Sequence, residues 1–135
     1  MFQLSKRVEY GLIAIRHMAM IPSGQMVTTK EIAERYHIPF DLLAKVMQKL
    51  TKEKFISSYQ GVHGGYILVR NANELKVSDI INAIEGKPTV TIIQCEAESP
   101  ESCIIHTTCT IKEPLVKLQG SINKVFGEIT IMEMV

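Results

Sequence analysis

Hydrophobic positions in the first third of the chain recur at helical spacing. Ser5 is a residue type that caps helices, and it precedes a predicted first helix that runs to about Met20. The apolar stripe of this helix, at spacings of three and four residues, comprises Val8, Leu12, Ile15 and Ala19. Pro22 and Gly24 follow directly and are expected to end the helix.

Two shorter helices follow, separated by a tight turn. Thr28 stands three residues before Glu31, the pattern of a capping box, and opens a helix through Tyr36. Pro39 breaks this helix, and a third is predicted from about Phe40 to Glu53. The predicted buried face of the third helix comprises Leu43, Val46, Met47 and Leu50. The opposite face presents Asp41, Ala44, Lys45, Gln48, Lys49 and Lys52. The pair therefore predicts a helix-turn-helix with a basic outer face.

A glycine-tipped hairpin is predicted next. Residues 55–60 and 66–70 have strand character, and Gly61 to Gly65 supply the turn between them. A helix-turn-helix followed by such a hairpin is a winged helix. Its third helix fits the major groove of DNA, and its wing reaches the phosphates or the adjoining minor groove.

A fourth helix, capped by Ser78, is predicted to run through Glu85 and to end at Gly86 and Pro88. The β-branched residues 89–94 that follow predict a strand or an extended linker.

The last third of the chain predicts one long helix. Thr110 and Glu113 form a second capping-box pattern, and Pro114 is acceptable in the first turn. The apolar seam of this helix comprises Leu115, Leu118, Ile122, Val125 and Ile129. A small domain has little left to cover such a seam, which favours a dimerisation helix over packing against the first helix. Thr130 and Glu133 predict a short final turn.

The predicted fold class is therefore mainly α with a small β-hairpin. Residues 1–86 form the winged helix-turn-helix, residues 87–110 a cysteine-bearing loop, and residues 111–135 the dimerisation helix and final turn. A chain of 135 residues is long enough for one such unit with its own core.

Composition and charge narrow the partners. No apolar run is long enough to span a bilayer, and the N-terminus has no export signal, so a cytoplasmic protein without a membrane partner is expected. Residues 1–70 carry ten Lys and Arg against five Asp and Glu, whereas residues 71–135 carry five against nine. This asymmetry fits a basic front half that faces a polyanion, although uneven surface charge remains an alternative.

All three cysteines lie within fifteen residues, at Cys95, Cys103 and Cys109. An odd number cannot all pair within the chain, and converging thiolates suit an iron–sulfur cluster or a zinc ion. Three unrelated reduced thiols remain the alternative. His106 could complete a zinc site or act as a polar loop residue. No phosphate-binding loop or catalytic triad is evident, so an enzyme is not expected.

Five segments resemble the Rrf-two family of bacterial winged-helix transcription regulators, and together they span essentially the whole chain. They are Gln3 to Leu12, Lys30 to Ile38, Gly61 to Tyr66, Val77 to Gly86, and Ile129 to Val135. The resemblance implies a dimeric DNA-binding protein, and in many members three loop cysteines bind an iron–sulfur cluster. The cysteine spacing looks closer to the NsrR and RirA branches than to the IscR branch.

The resemblance also implies a fourth cluster ligand. The IscR branch uses a histidine three residues after the last cysteine, where this chain has Lys112. The NsrR branch uses a carboxylate from the other subunit, and the matching residue here is Glu9. Glu9 as a ligand of a 4Fe-4S or 2Fe-2S cluster is therefore a hypothesis, and a solvated glutamate at a helix start is its alternative.

The sequence thus predicts a transcription regulator, expected to be a repressor, whose affinity for double-stranded DNA depends on a cluster that senses iron, nitric oxide or redox state. The predicted DNA contacts are Thr28, Thr29, Lys30, Phe40, Asp41, Ala44, Lys45, Gln48, Lys49, Gln60 and His63. Two alternatives stay open. One is a cluster-free regulator of the same fold that senses thiol oxidation, a ligand or a protein. The other is a zinc-stapled module for protein interaction.

Overall fold

A computed structural model of the protein describes residues 3–86, 104–105 and 107–135. Its helices and strands, in chain order, are α1 (Lys6–Met20), α2 (Thr29–Tyr36), α3 (Phe40–Lys52), β1 (Ile56–Tyr59), β2 (Gly65–Leu68), α4 (Val77–Glu85), α5 (Lys112–Glu128) and a terminal 3-10 turn (Met132–Met134). The predicted class, mainly α with one hairpin, is confirmed. No helix among the described residues is long and apolar enough to span a bilayer.

Helix α1 is central to the core and packs against α3 and α4. The Ser5 hydroxyl caps it by accepting a hydrogen bond from the Val8 amide, at 3.3 Å, as predicted. The predicted buried stripe was partly wrong. Leu12 and Ala19 are only half-buried, whereas Gly11, Ala14 and Met18 are buried. Gly11 and Ala14 are small residues that let neighbouring helices approach closely, and a pattern based on large side chains overlooks them. Met18 continues the same stripe, four residues after Ala14.

The helix-turn-helix forms as predicted. In the capping box of α2, the Glu31 amide donates to the Thr28 hydroxyl at 3.1 Å. His37 ends α2 in a left-handed conformation, with φ of 56°, and its neighbour Ile38 is buried. The predicted inner face of α3 is buried in full: Leu43, Val46, Met47 and Leu50. This face fixes the orientation of α3, so the opposite face is turned outward.

The wing is an antiparallel hairpin in which Ile56 pairs with Leu68 and Tyr59 with Gly65. It is shorter than predicted, with four residues in each strand. Val27 extends the ladder through a bridge to Tyr66. Gly65 has φ of 154°, and a Cβ there would lie 2.9 Å from the Val27 carbonyl oxygen. The close approach of Val27 to the wing therefore requires glycine at this position.

Helix α4 begins differently from the prediction. Its N-cap is Lys76 and not Ser78, because the Asp79 carboxylate accepts a hydrogen bond from the Lys76 amide at 2.9 Å. Gly86 ends α4 in a left-handed conformation with φ of 69°, as predicted. The predicted strand at residues 89–94 lies outside the described residues.

Helix α5 also starts without the predicted capping box. Its N-cap is Ile111, which provides no side-chain acceptor, so Thr110 lies one position too early to cap it. No residue of α5 is buried within the single chain. Leu118 and Val125 on the predicted seam are 50% and 52% exposed, although α5 does contact α4.

The C-terminal segment ties the end of α5 to the winged helix. Ile131 is fully buried, and its amide donates to the Leu75 carbonyl at 2.9 Å. The Thr130 amide donates to the Glu133 carboxylate at 2.6 Å, which confirms the predicted final turn. Arg16 of α1 donates to the Met134 carbonyl at 2.6 Å. These contacts fix the base of α5 against the domain that carries α3.

We expect Ile131→Ala to lower the free energy of unfolding by ~2 to 5 kcal/mol, because it removes a fully buried side chain from the core. Urea denaturation at one fixed protein concentration measures the change. Val135→Ala, in the same segment but half exposed, is the control and should change stability by less than about 0.5 kcal/mol. Equal effects of the two substitutions would show that the segment is not docked.

Candidate functional site

The outward face of α3 gathers the residues predicted to read DNA bases. Phe40, Asp41, Lys45 and Gln48 are exposed, and Ala44 is half-buried among them. Phe40 leaves 51% of its surface in solvent although it is a large aromatic residue. The structure therefore presents the N-terminal two turns of α3 as one continuous outer surface, which we call the reading face (Phe40, Asp41, Ala44, Lys45 and Gln48).

The polar side chains of the reading face make no contacts with other described residues that would compete with a ligand. Within the described part of the chain, no hydrogen bond or ion pair engages the side chain of Asp41, Lys45 or Gln48. Asp41 and Lys45 are four residues apart, a spacing that permits an ion pair, yet none forms between them. Their donors and acceptors are thus available to a ligand.

Lys49, predicted to contact the DNA backbone, is placed differently. Its ammonium donates to the Ile84 carbonyl at 2.8 Å, in the last turn of α4. That carbonyl lies at the negative end of the α4 dipole, where a cation is favoured. A phosphate contact by Lys49, as the sequence predicts, would require Lys49 to give up this hydrogen bond, and the salt dependence of DNA binding tests which contact it makes.

The start of α2 provides the other predicted phosphate contacts. Lys30 is exposed, with its ammonium 4.0 Å from the Glu34 carboxylate. The Thr28 hydroxyl is occupied by the capping box, and Thr29 is only 8% exposed. A phosphate contact from Thr29 would therefore use its backbone amide, since the first amides of a helix have no internal acceptor.

The wing tip exposes Gln60 and His63, the two residues predicted to contact DNA there. It also exposes Val62 almost fully, at 98%, which the sequence did not single out. No Lys or Arg occurs between Phe55 and Arg70, and the Arg70 guanidinium lies over the Phe55 ring, 4.7 Å from its centroid. The tip therefore offers polar and apolar groups with histidine as its one titratable side chain.

Of the predicted metal ligands, two lie in the described residues. Cys109 is half-buried and lies three residues before the first residue of α5, whereas Cys95, Cys103 and His106 lie outside the described residues. Glu9 lies in the first turn of α1, where its carboxylate accepts a hydrogen bond from Lys6 at 2.7 Å. This hydrogen bond, with the charge of Glu9, raises the pKa of Lys6.

These two ligands fit an iron–sulfur cluster in chemistry, since a thiol is a soft donor and a carboxylate a hard one. Both are accessible, because Cys109 is half-buried and the Glu9 side chain is 42% exposed. Within residues 3–86, 104–105 and 107–135, no three His, Cys, Asp or Glu side chains come together to hold a metal. A cluster site would therefore have to include further ligands.

Helices α1, α3 and α4 meet at Gly11. A Cβ on Gly11 would collide with the Ile84 side chain and would lie 3.3 Å from the Val46 side chain. At the same end of α4, the Ser5 hydroxyl donates to the Glu85 carboxylate. The last turn of α4 is thus bonded to α1 through Ser5 and to α3 through Lys49, and we call this turn, Asn82 to Gly86, the α4 junction.

A second link joins α1 to the helix-turn-helix. The His17 Nδ1 atom lies 2.8 Å from the Tyr36 hydroxyl, and the two rings pack edge to face with centroids 5.5 Å apart. Burial, and then the charge of Arg35, lowers the pKa of His17, so its neutral form is favoured. His17 therefore positions α2 against α1.

A helix-turn-helix whose outer face is exposed, followed by a glycine-tipped wing, is typical of winged-helix DNA-binding proteins. The family model described as Rrf2, iron-dependent transcriptional regulator, matches residues 4–135. The chain belongs to the Rrf2 family and is a DNA-binding transcription regulator and not an enzyme. The resemblance noted in the sequence is confirmed.

Solved structures of this family are similar in fold. CymR (YrzC) of B. subtilis, described as the global cysteine regulator, is 21% identical with a TM-score of 0.77, over 99% of this chain and 96% of CymR. The IscR of T. potens is 27% identical with a TM-score of 0.72, over 98% of this chain and 85% of that protein. The oxidised form of S. aureus CymR is 24% identical with a TM-score of 0.71, over 96% and 93%.

We expect Lys49→Ala to leave the salt dependence of DNA binding unchanged, because the Lys49 ammonium is bonded to Ile84. Fluorescence anisotropy at several salt concentrations, with one duplex, measures the slope of log affinity against log salt. Lys45→Ala, on the reading face, is the matched comparison. A decrease of about one unit in the slope for Lys49→Ala would place this lysine on a phosphate.

Proposed function

We propose that this transcription regulator is a repressor whose operator affinity is set by an iron–sulfur cluster. The proposed ligands are Cys95, Cys103 and Cys109 of one chain and Glu9 of the partner subunit. The family description as iron-dependent supports a bound iron centre, and so does the resemblance of the cysteine spacing to the NsrR and RirA branches.

The observation that carries the proposal is the position of Cys109. It lies three residues before α5, and the segment after the other end of α5 is tied through Ile131 and Arg16 to the domain that carries the reading face. A change at this thiol therefore acts on the N-terminal end of a helix whose C-terminal end is fixed to the DNA-binding unit. The cluster, when bound, supplies an iron that responds to oxidants, nitric oxide or iron supply.

Glu9 must change partner to serve as a ligand. In the single chain its carboxylate is held by Lys6 in an exposed ion pair, an interaction that contributes little to stability. Breaking this pair costs little, so Glu9 is available to a neighbouring chain. Gly11 lies one half-turn after Glu9 on α1 and packs against α3 and α4. A displacement of Glu9 would therefore be transmitted through α1 to α3, which carries the reading face.

The α4 junction offers a second connection. The residues that follow Gly86 lead to Cys95, and the junction is bonded to α3 through Lys49. A displacement of the loop would therefore act on α3 directly as well as through α1. In this proposal α1, α3 and α4 move together as one rigid body. The two subunits of the dimer can then take two alternative arrangements relative to each other.

Dimerisation through α5 is part of the proposal. Leu118 and Val125 are half exposed on the predicted seam, and no α5 residue is buried within the chain. A second copy of α5 would cover this apolar surface. Two winged helices would then contact two half-sites of one duplex.

On DNA, we propose that the reading face lies in the major groove, that the start of α2 (Thr28, Thr29 and Lys30) faces a phosphate, and that Gln60 and His63 of the wing reach the adjoining backbone or minor groove. The exposure of Lys30, Gln60 and His63 supports these roles.

We expect protein purified without oxygen to be brown and to contain iron and acid-labile sulfide. Alanine substitution of Cys95, Cys103 or Cys109 should abolish the visible absorption, because each removes a thiolate ligand. Glu9→Ala should leave a coloured protein that bleaches faster in air. Glu31→Ala, another first-turn glutamate but of α2, is the control and should bleach at the wild-type rate.

Two other outcomes of this experiment would contradict the cluster. Colourless protein with stoichiometric zinc would favour a zinc-stapled module. Colourless protein without metal would favour a cluster-free regulator that senses thiol oxidation or a ligand, a candidate supported by the likeness in fold to CymR, which was solved in an oxidised form. Absence of any DNA binding at low salt would contradict all the regulator proposals.

We expect the double substitution Leu118→Arg and Val125→Arg to convert a dimer into a monomer, because it places two charges within the proposed apolar interface. Sedimentation analysis of wild type and variant, at matched concentrations, measures the mass. A single charge reversal at the exposed Lys117, on the same helix, is the control. An unchanged dimer in the double variant would place the interface elsewhere.

A further inference from the structure

We infer that the reading face recognises a half-site rich in A·T pairs that contains one cytosine. In this assignment Gln48 contacts an adenine, Phe40 and Ala44 contact thymine methyl groups, and Asp41 contacts the amino group of the cytosine. The inference rests on the proposed placement of α3 in the major groove and adds to it the bases that this chain selects.

The geometry of α3 brings these side chains to one groove. Phe40, Ala44 and Gln48 recur every four residues and so form one ridge along the helix. Asp41 lies beside this ridge, about 100° around the axis from Phe40. Phe40 and Gln48 are separated by ~12 Å along the axis, at about 1.5 Å per residue. That length corresponds to roughly three or four base pairs at about 3.4 Å each.

Gln48 has the chemistry of an adenine reader. Its side-chain amide carries both a donor and an acceptor, and adenine presents an acceptor and a donor side by side in the major groove. Gln48 is exposed, and among the described residues its amide has no other partner. An adenine can therefore engage both ends of the amide without breaking an existing contact.

Asp41 restricts the choice at its own position. Its carboxylate only accepts hydrogen bonds and is repelled by phosphates, so near DNA it requires a base that donates. The amino group of cytosine is the donor that an aspartate commonly contacts. Asp41 also lies in the first turn of α3, where a negative charge stabilises the helix dipole, and the experiment below separates these two roles.

Phe40 and Ala44 present apolar surface to the groove. Phe40 is half exposed at the start of α3, and Ala44 is half-buried on the same ridge. In the major groove only thymine offers a methyl group, and phenylalanine and alanine both contact it. An exposed aromatic ring at this place thus gains from a thymine and not from the other bases.

Guanine has few readers on this surface. Arginine makes the commonest contact to guanine, yet no arginine occurs between Arg35 and Arg70, a stretch that includes all of α3 and the wing. Lys45 is the one cation of the reading face and lies one turn after Asp41, on the same side of the ridge, but its flexible four-carbon stem lets the ammonium reach past the base edges to the backbone. We therefore assign Lys45 to a phosphate and expect little selection for guanine on this strand.

The experiment is selection from a library of random duplexes by the full chain, purified without oxygen, followed by sequencing. We expect wild type to enrich paired half-sites of A·T pairs with one fixed cytosine. Gln48→Ala should lose the preference for one adenine, and Asp41→Asn should replace the cytosine preference by adenine, since asparagine pairs with adenine. Each change in discrimination should be ~5- to 150-fold.

Lys30→Ala is the control, because a lost phosphate contact weakens all sequences alike and leaves the base preferences unchanged.

Asp41→Glu keeps the hydrogen-bond acceptor and should keep the preference for cytosine. If Asp41→Asn selects the same cytosine as wild type, the Asp41 carboxylate only stabilises the N-terminus of α3, and its assignment to cytosine is wrong. If Gln48→Ala leaves every preference unchanged, the adenine assignment is wrong. Enrichment of a guanine-rich site would contradict the inferred base preference. Failure of wild type to bind any duplex at low salt would instead contradict the proposed DNA contact itself.

Discussion

The close contact of α1, α3 and α4 at Gly11 sets the orientation of the reading face. Because Gly11 has no side chain, the Ile84 and Val46 side chains occupy the space where a Cβ would lie. Interiors packed at this density transmit a displacement of one element to its neighbours. The reading face is the outer side of the same α3 whose inner side contributes Val46, so its orientation follows from this contact.

Polar contacts reinforce this packing at the α4 junction. Lys49 donates to the Ile84 carbonyl, and the Ser5 hydroxyl donates to the Glu85 carboxylate. The chain after Gly86 leads to the first cysteine, and Glu9 lies one turn after Ser5 on α1. Cys95 therefore follows α4 in the chain and Glu9 lies on α1, the two helices that pack against α3, whereas Cys109 precedes α5. In the proposal, a change at Cys95 or Glu9 would reach α3 through the helix packed against it.

Much of the winged helix could be predicted from the sequence because its signals are local. The buried face of α3 followed from the spacing of its large apolar residues, and the capping box of α2 followed from Thr28 and Glu31. Other features depend on neighbours distant in the sequence. The burial of Gly11 depends on Ile84, the burial of Ile131 on the segment near Leu75, and the placement of Lys49 on a carbonyl of α4. The starts of α4 and α5 were misplaced because the N-cap positions are taken by Lys76, two residues before Ser78, and by Ile111, one residue after Thr110.

Control of the reading face by the proposed metal centre can be measured as the affinity of one operator duplex for the same protein with and without its metal. Fluorescence anisotropy would be measured without oxygen, first on protein as purified and then after removal of iron by a chelator. The two dissociation constants should differ by about 5- to 150-fold, the usual range for coupling between two sites in one protein. Equal dissociation constants, for a protein shown to lose its iron, would contradict control of the reading face by the cysteine-bearing loop.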